Sequence, residues 1–341
     1  MTPLQTLGER GLIQRIQHET PPPTQPGTLR GIGDDAAVLA LNDQYLGLLT
    51  TDLLIEGSHF DLTYMPLRHL GFKAVAVNVS DIAAMNGLPT QLTVGLGLSS
   101  RFTVEAVDEL YAGIRAACEA YNVDLVGGDT TTSRSGLVIA ISVVGQVASD
   151  RITYRNTAKP NDVICVTGDL GAAYLGLQLL EREKQEYLAN PDMQPALSEE
   201  RAYLIGRQLR PDARTDMVHE LRDLDVLPTA MIDLSDGLAS DLLHLCTESG
   251  TGAVIFDENI PIDDQTYLAA EEFKISPLTA ALNGGEDYEL LFTVPPQAFE
   301  KLKNHSRITA IGYMTNTPDQ IVLATKAGQQ TPIRAQGWNR E

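Results

Sequence analysis

The segment LRHLGFKAVAVNVSDIAAM, Leu67–Met85, is the stretch from which the rest of the fold can be placed. Its length predicts an α-helix, although three alternating valines lower its intrinsic helix propensity. Apolar residues occupy nearly every side of this helix, so we expect it to be buried between other layers of the fold. The sequence Gly87–Pro89 is expected to end it.

Two polar side chains on this helix, Asn78 and Asp81, are three positions apart and therefore share one face. An unpaired carboxylate buried in such a helix would be strongly unfavourable. Two interpretations of Asp81 remove this cost: an ion pair with Lys73, two turns earlier, or ligation of a metal ion. We prefer the metal ligand, because a bound metal ion offsets the cost of burying the carboxylate.

Two acidic motifs precede the helix, GIGDDAA at Gly31–Ala37 and TTD at Thr50–Asp52. The adjacent carboxylates Asp34 and Asp35 repel each other unless they are solvated or bound to a cation. The TTD motif adds two hydroxyl groups and a carboxylate, which are oxygen ligands of the kind that Mg²⁺ uses. Each motif taken alone is equally typical of a solvated turn or of a helix cap after a strand.

Two further motifs follow the helix, GGDTT at Gly127–Thr131 and IDLSDG at Ile232–Gly237. As in the earlier motifs, we expect the aspartates to lie where a strand ends. The first motif offers Asp129 as a ligand and glycines that a nucleotide could approach, or else it is a plain turn. The second joins a strand to a helix whose N-terminus attracts phosphate, and Ser235 or Asp236 is expected to cap that helix.

Four other residues have side chains suited to a substrate site. His59 lies near the TTD motif and could donate a hydrogen bond to a phosphate, while Arg155 could clamp one. Glu286, in NGGEDYEL at Asn283–Leu290, either contacts a cationic group or belongs to a solvated turn. Trp338, the one tryptophan, is expected to pack or stack on a partner.

The composition favours small phosphorylated ligands over nucleic acids. The 341 residues include 45 acidic and 25 basic ones, giving a formal charge of −20, so we expect no nucleic-acid partner. A protein that binds phosphates with so few bases needs divalent cations held by carboxylates. The sequence contains no GxxxxGK[ST] loop and no protein-kinase motif set, which again leaves carboxylate-held Mg²⁺ as the source of positive charge.

The sequence predicts a cytoplasmic protein with no membrane partner. No run approaches the ~20 apolar residues of a membrane span. The segment Met1–Ile16 is amphipathic and lacks the apolar core of a signal peptide. The spacing of the three cysteines matches neither a zinc site nor a disulfide framework, so we expect reduced thiols in the core.

The length predicts two domains, which we place at residues 1–157 and 158–341. In the first, strands and helices alternate, which indicates a mixed α+β layer structure. Val123–Val126 is expected to be a short strand there. In the second, a helix is expected to end near Leu180, before an exposed insertion at Glu181–Ser198.

Two local signals are typical of particular turns and caps. Asn42 and Asp43 separate two apolar runs of strand length, Ala36–Leu41 and Tyr45–Thr51, as in a β-hairpin. Thr103 precedes a helical stripe of apolar residues and is the expected N-cap of that helix.

Taken in order, the motifs resemble those of the thiamine-monophosphate kinase family. The matching segments from Gly31 to Thr293 are GIGDDAA, TTD…EGSHF, KAVAVNVSDIAAM, VGGDTT, IDLSDGLASDL and NGGEDYELLFT. The resemblance implies the two-domain fold of the aminoimidazole-ribonucleotide synthetase-like (PurM-like) superfamily. An α+β N-terminal domain with a mixed or antiparallel sheet would bind ATP and Mg²⁺ and pair in a homodimer. An α/β C-terminal domain would close the active site.

The resemblance also implies the reaction ATP + thiamine monophosphate → ADP + thiamine diphosphate. The acceptor is an ionised phosphate, so we expect direct in-line transfer with several Mg²⁺ ions and no phosphoenzyme. The alternatives are another ATP-using enzyme of the same superfamily and a non-catalytic regulator that binds Mg²⁺ and nucleotide.

By position in these motifs, the resemblance assigns roles to named residues. The implied Mg²⁺ ligands are Asp35, Thr50, Thr51, Asp52, Asp81, Asp129, Asp233 and Asp236. The implied nucleotide contacts are Tyr111, Gly128, Asp129, Arg155 and Ser235. The implied thiamine-monophosphate contacts are His59, Glu286 and Trp338. The residues on which catalysis is expected to depend are Asp52, Asp81, Asp129 and Asp236. The chain departs from the family pattern at Gly337–Glu341, which lacks a histidine and a final aromatic residue.

Overall fold

The computed structural model describes residues 8–190 and 201–335, which contain two β-sheets flanked by helices. The elements of the first part are α1 Gly8–Glu19, β1 Thr28–Arg30, β2 Ala37–Ala40, β3 Tyr45–Ile55, α2 Leu67–Ala84, β4 Leu88–Leu98, α3 Val104–Tyr121, β5 Asp124–Thr132 and β6 Val138–Ala148. The elements of the second part are β7 Val163–Thr167, α4 Ala172–Ala189, α5 Ala202–Leu209, α6 Thr215–Asp223, β8 Ala230–Asp233, α7 Leu238–Ser249, β9 Gly252–Phe256, α8 Asp264–Phe273, α9 Pro277–Asn283, β10 Leu290–Val294, α10 Pro296–Phe299, β11 Ile308–Thr315, β12 Ile321–Ala324 and β13 Gln330–Pro332. Within the described ranges, no helix is both long enough and apolar enough to span a bilayer.

The first sheet has six strands in the order β1-β2-β3-β6-β4-β5. β4 and β5 pair in parallel, whereas the other neighbours pair antiparallel. At its centre β3 pairs with β6 over its whole length, from Tyr45 opposite Ala148 to Ile55 opposite Val138. The sheet is therefore mixed, as the resemblance implies.

The second sheet has seven strands in the order β13-β12-β9-β11-β7-β10-β8. β9 and β12 run parallel, and the other neighbouring strands run antiparallel. Its core contains Leu238, Leu242 and Leu245 of α7, packed with Ile232 of β8 and Ile255 of β9. Strand β8 lies at the edge of this sheet, which brings its last residue towards the first part of the chain.

Helix α2 contacts both sheets. It lies against β3 and β6 of the first sheet and against β8 of the second. Its last residues, Ala83 and Ala84, belong to the same apolar cluster as Met217 of α6 and Phe292 of β10. The predicted buried helix is confirmed, and contact on both sides explains why almost none of its faces is polar.

Helix α3 packs against α2 through glycines on both helices. A methyl group on Gly71 of α2 would overlap the carbonyl oxygen of Leu110. A methyl group on Gly113 of α3 would likewise overlap the carbonyl oxygen of Arg68. The two backbones approach so closely that each helix needs a residue without a side chain at the crossing point.

The expected hairpin and the expected N-cap are both confirmed. The side chain of Asn42 accepts hydrogen bonds from the backbone nitrogens of Gln44 and Tyr45, each at 2.9 Å, and so turns the chain from β2 into β3. The Thr103 hydroxyl accepts from the backbone nitrogen of Ala106 at 3.3 Å and caps α3. Both signals are local, which is why they could be read from neighbouring residues.

Two expectations about the ends of elements are wrong. The strand expected at Val123–Val126 runs on to Thr132, because β5 pairs with β4 along the whole GGDTT motif. Helix α4 continues to Ala189 and does not end near Leu180. Most residues of that extension are strong helix formers, and the buried side chain of Glu183 anchors it.

Replacing Gly113 by alanine tests the packing of α2 on α3. Because the added methyl group would overlap the Arg68 carbonyl, Gly113→Ala should lower the free energy of unfolding by about 1–3 kcal/mol. Gly206→Ala on α5 is the matched control, because no atom of residues 8–190 or 201–335 lies within 4 Å of its added methyl group. It should be neutral or stabilising by up to about 1 kcal/mol. Denaturant titration measures both changes, and wild-type stability of Gly113→Ala would contradict this packing.

Candidate active site

Three aspartates from separate parts of the chain meet beside α2. One carboxylate oxygen from each of Asp35, Asp81 and Asp233 lies within 4.8 Å of the others. Asp35 precedes β2, Asp81 is near the end of α2, and Asp233 is the last residue of β8. Because two of them come from the first part of the chain and one from the second, the cluster forms only when the two parts pack together.

Hydroxyl groups orient two of these carboxylates. The Thr50 hydroxyl donates to Asp81 Oδ2 at 2.6 Å, and the Ser80 hydroxyl donates to Asp233 Oδ2 at 2.6 Å. Ser80 and Asp81 are consecutive on α2, so this helix supplies one carboxylate and fixes another from the second sheet. Hydrogen bonds to buried carboxylates are among the stronger kinds in proteins.

The TTD motif lies inside β3, so the expectation that it ends a strand is wrong. The pairing of β3 with β6 outweighs the low strand preference of aspartate. Thr50 and Asp52 face α2, where the backbone nitrogen of Asp52 donates to Asn78 Oδ1 at 3.0 Å. Side chains alternate along a strand, and Thr51 points the other way and donates to the Ile141 carbonyl at 3.0 Å. The Thr51 hydroxyl is therefore not brought to the carboxylates.

Arg155 supplies positive charge at the cluster. Its guanidinium group pairs with Asp35 and, at 3.4 Å, with Asp34, and Nη1 lies 3.2 Å from His244 Nδ1. The other oxygen of Asp35, Oδ2, is buried and accepts no hydrogen bond from any residue in 8–190 or 201–335. A buried carboxylate oxygen without a partner, beside other carboxylates, is a suitable ligand for a cation.

Burial raises the pKa values of the clustered carboxyl groups. The pKa of Asp35 rises from 3.8 to about 8, with the Arg155 guanidinium opposing the increase and the carboxylates of Asp233 and Asp34 adding to it. Burial raises the pKa of Asp233 to about 6 and that of Asp81 well above its ordinary value. These shifts show that further negative charge is unfavourable here, so a bound cation would stabilise the ionised cluster.

The IDLSDG motif forms the turn between β8 and α7. Gly237 is the N-cap of α7 and no side chain in the described part of the chain caps it, so the expectation that Ser235 or Asp236 does so is wrong. Asp241, in the first turn of α7, instead accepts from the backbone nitrogen of Asp236 at 3.1 Å. Ser235 and Asp236 both line a cavity of about 980 Å³ beside the carboxylates.

Three predicted nucleotide contacts lie away from the cluster. Asp129 and Gly128 are inside β5 at the exposed edge of the first sheet, so Asp129 does not end a strand as expected. Two strands separate β5 from β3, which at ~4.8 Å per strand puts β5 roughly 14 Å away. A side chain on Gly128 would overlap the Val94 backbone, so the sheet itself requires this glycine. Tyr111 lies on α3, partly buried against the core.

A second, smaller cavity extends from the carboxylates to His59 and Glu286. The backbone nitrogen of Ile55 donates to His59 Nδ1 at 3.0 Å, so Nε2 carries the proton of the neutral ring and can donate. The carboxylate of Glu286 lies 3.2 Å from the Lys73 ammonium group. Lys73 therefore pairs with Glu286, and the alternative ion pair with Asp81 is wrong.

Two residues of the site had no signal in the sequence. Gln208 donates from Nε2 to Glu286 Oε2 at 2.7 Å, and His244 contacts Arg155. Neither lies in a recognisable motif. Trp338, the remaining predicted contact, lies outside the described residues.

Known proteins match both parts of the chain. The family models described as AIR synthase related protein, N-terminal domain, and AIR synthase related protein, C-terminal domain, match residues 33–147 and 159–324. A thiamine-monophosphate kinase of Bacillus subtilis is 36% identical over 86% of this chain and 88% of its own length. One of Aquifex aeolicus is 37% identical over 89% of this chain and 92% of its own. The solved structure of AaThiL complexed with AMPPCP and TMP superposes with a TM-score of 0.84 at 32% identity, covering 100% of this chain and 99% of that one.

The raised pKa of Asp35 predicts how stability depends on pH without divalent cations. The folded protein holds this proton more tightly than the unfolded chain, so stability should fall as the pH rises from 3.8 towards about 8. Asp35→Asn removes this titration and should show a smaller fall in melting temperature between about pH 5.5 and pH 8.5, an interval that covers the upper part of this range. Asp43→Asn, in the exposed hairpin turn, is the control and should behave as wild type. Identical pH profiles for all three proteins would contradict the prediction.

Proposed function

The chain belongs to the thiamine-monophosphate kinase family, and from this premise we propose that its carboxylate cluster catalyses the ATP-dependent phosphorylation of thiamine monophosphate to thiamine diphosphate. One observation carries this proposal. Asp52, Asp81, Asp233 and Ser235 line both cavities, so the cluster lies where the two meet. The larger cavity suits ATP, and the smaller one leads to His59 and Glu286.

The donor set fits Mg²⁺. The carboxylates of Asp35, Asp81 and Asp233 converge, and the Oδ2 of Asp35, which accepts no hydrogen bond from the described residues, offers a hard oxygen ligand. The residues that would hold the metal ions are Asp35, Thr50, Asp52, Asp81, Asp233 and Asp236. When bound there, Mg²⁺ neutralises and orients phosphate groups. The backbone carbonyl of Thr51 is the group through which that residue would contribute, since its hydroxyl faces away.

The chain's own residues position the two phosphates. Arg155 neutralises charge on the nucleotide, and the turn at Ser235 lies beside the N-terminus of α7, which favours anions. His59 donates from Nε2 to the acceptor phosphate. The acceptor oxygen is already ionised near neutral pH, so direct in-line transfer needs no strong general base and no phosphoenzyme.

We also infer that the chain acts as a homodimer. Apolar side chains are exposed on the outer face of the first sheet, including Leu49 and Leu53 of β3 and Val144 of β6. Such a surface, beside an unpaired edge strand, is typical of an interface. A twofold contact through it would let Asp129, Gly128 and Tyr111 of one copy serve the nucleotide held by the cluster of the other.

The boundary between the two domains is proposed at residues 157 and 158. A turn follows it at once, in which the backbone nitrogen of Lys159 donates to Asp162 Oδ2 at 2.9 Å. We place the reaction in the cytoplasm, because Cys118, Cys165 and Cys246 are free thiols.

Acceptor specificity tests the proposed reaction directly. Purified protein with ATP and Mg²⁺ should release ADP when thiamine monophosphate is added and should release none with thiamine. Radiolabelled ATP alone should leave no phosphate on the protein. Nucleotide binding without acceptor-dependent turnover would instead indicate the regulator, and a trapped protein-bound phosphate would exclude direct transfer.

Complementation between variants tests the shared site. Asp81→Asn and Asp129→Asn should each lower kcat at least about 100-fold, because each removes a charge that holds the phosphates. Co-expressed in equal amounts, they should regain about a quarter of wild-type activity, since half of the dimers are mixed and each mixed dimer has one intact site.

Asp124→Asn is the control for this experiment, because Asp124 is exposed on the same strand as Asp129. It should keep wild-type activity alone and in mixtures. If co-expressed Asp81→Asn and Asp129→Asn stay inactive while mixed dimers are present, the two residues belong to one subunit's site and the proposed arrangement is wrong.

A further inference from the structure

Lys73 is a buried cation in the middle of an apolar helix. Its side chain is 1% exposed. The ammonium group lies 3.2 Å from Glu286 Oε2 and donates to the backbone carbonyl of Gln208 at 3.1 Å. A buried ammonium is costly unless it is paired, so its partners determine what it does. Both partners come from the second part of the chain and contact α2 directly through Lys73.

Glu286 is held from several directions. The Gln208 side chain donates to the same oxygen, Oε2, that Lys73 approaches, at 2.7 Å. The backbone of Glu286 has φ = +59°, a conformation that L-residues rarely adopt. Its nitrogen donates to the carbonyl of Ser235 at 2.8 Å, which ties this loop to the turn beside the carboxylate cluster. The carboxylate of Glu286 therefore has little freedom to choose another position.

Helix α2 connects the Lys73–Glu286 pair to Asp81 of the carboxylate cluster, where the substrate phosphate would bind. Lys73, Val77 and Asp81 follow one another at four-residue spacing, and all three line the smaller cavity. At ~1.5 Å rise per residue, Lys73 and Asp81 are about 12 Å apart along the helix. A ligand with its phosphate near Asp81 would extend its other end towards Lys73 and Glu286.

We propose that Lys73 and Gln208 are positioning residues that fix Glu286 for the cationic ring system of the thiamine phosphate. This role rests on the proposed function, because thiamine monophosphate carries a permanent positive charge on its thiazolium ring. Glu286 supplies the matching negative charge in the smaller cavity. Lys73 and Gln208 act through Glu286 by holding Oε2 in place, and ATP, in the larger cavity, does not depend on them.

Kinetics with both substrates test this role. Lys73→Met keeps the length of the side chain and removes its charge, and Gln208→Leu removes the amide while leaving the backbone carbonyl that Lys73 contacts. Each should raise KM for thiamine monophosphate at least about fivefold, because a displaced Glu286 carboxylate binds the cationic ring less tightly. KM for ATP should be unchanged. In a Glu286→Gln background, Lys73→Met should cause no further rise, because the two residues act as one unit.

Lys301→Met is the matched control. Lys301 pairs with Asp225 at the surface, with 46% of its side chain exposed, and its replacement should leave both KM values unchanged. If Lys73 had only a structural role, Lys73→Met would lower the melting temperature and would change KM for both substrates together or for neither of them. Either of these two KM patterns would overturn the positioning role.

Calorimetric binding of thiamine monophosphate separates this inference from the proposed function. If wild type turns over or binds the compound and Lys73→Met matches it, only the positioning role is wrong. If wild type binds without turnover, weaker binding by Lys73→Met still supports the role while the kinase function fails. If wild type neither binds nor converts the compound, both proposals are wrong.

Discussion

The gathering of buried carboxylates in one place is the constraint on which the rest of this structure depends. Burial raises the pKa values of Asp35, Asp81 and Asp233, and neighbouring carboxylates add to the effect. The fold tolerates them because hydroxyl donors and the Arg155 guanidinium lie against them. Ser80 of α2 donates to Asp233 at the end of β8 in the second sheet, so the chemistry of the site and the packing of the two parts of the chain rely on the same contacts.

The helix between the sheets links these contacts. α2 touches the first sheet with one side and β8 with another, and its polar residues Asn78, Ser80 and Asp81 contact β3 and β8. Ser80 and Asp81 contact Asp233 and Thr50, whereas Lys73, two turns earlier, pairs with Glu286; in the proposed function these are the phosphate end and the opposite end of the substrate site. A rigid helix fixes the distance between the two ends more accurately than a loop would.

Features with local causes could be predicted from the sequence, including the extent of α2, the turn at Asn42 and the cap at Thr103. Most of the acidic residues in the cluster could also be identified, because their motifs occur in a family order. The position of Asp52 within β3 could not, because it depends on pairing with β6. The Lys73–Glu286 pair joins distant parts of the chain, and the place of β5 at a sheet edge is set by the whole topology.

Strand β3 presents two surfaces that alternate residue by residue. Thr50 and Asp52 face the carboxylate cluster, while Leu49, Thr51 and Leu53 face the outer side of the sheet. Inserting or deleting one residue before this segment would exchange the two surfaces, turning Asp52 and the buried Leu48 outwards and Leu49 and Leu53 inwards. Substitutions can therefore alter one surface and leave the other intact, but a shift in strand register would disrupt the face towards the carboxylate cluster and the outer face at once.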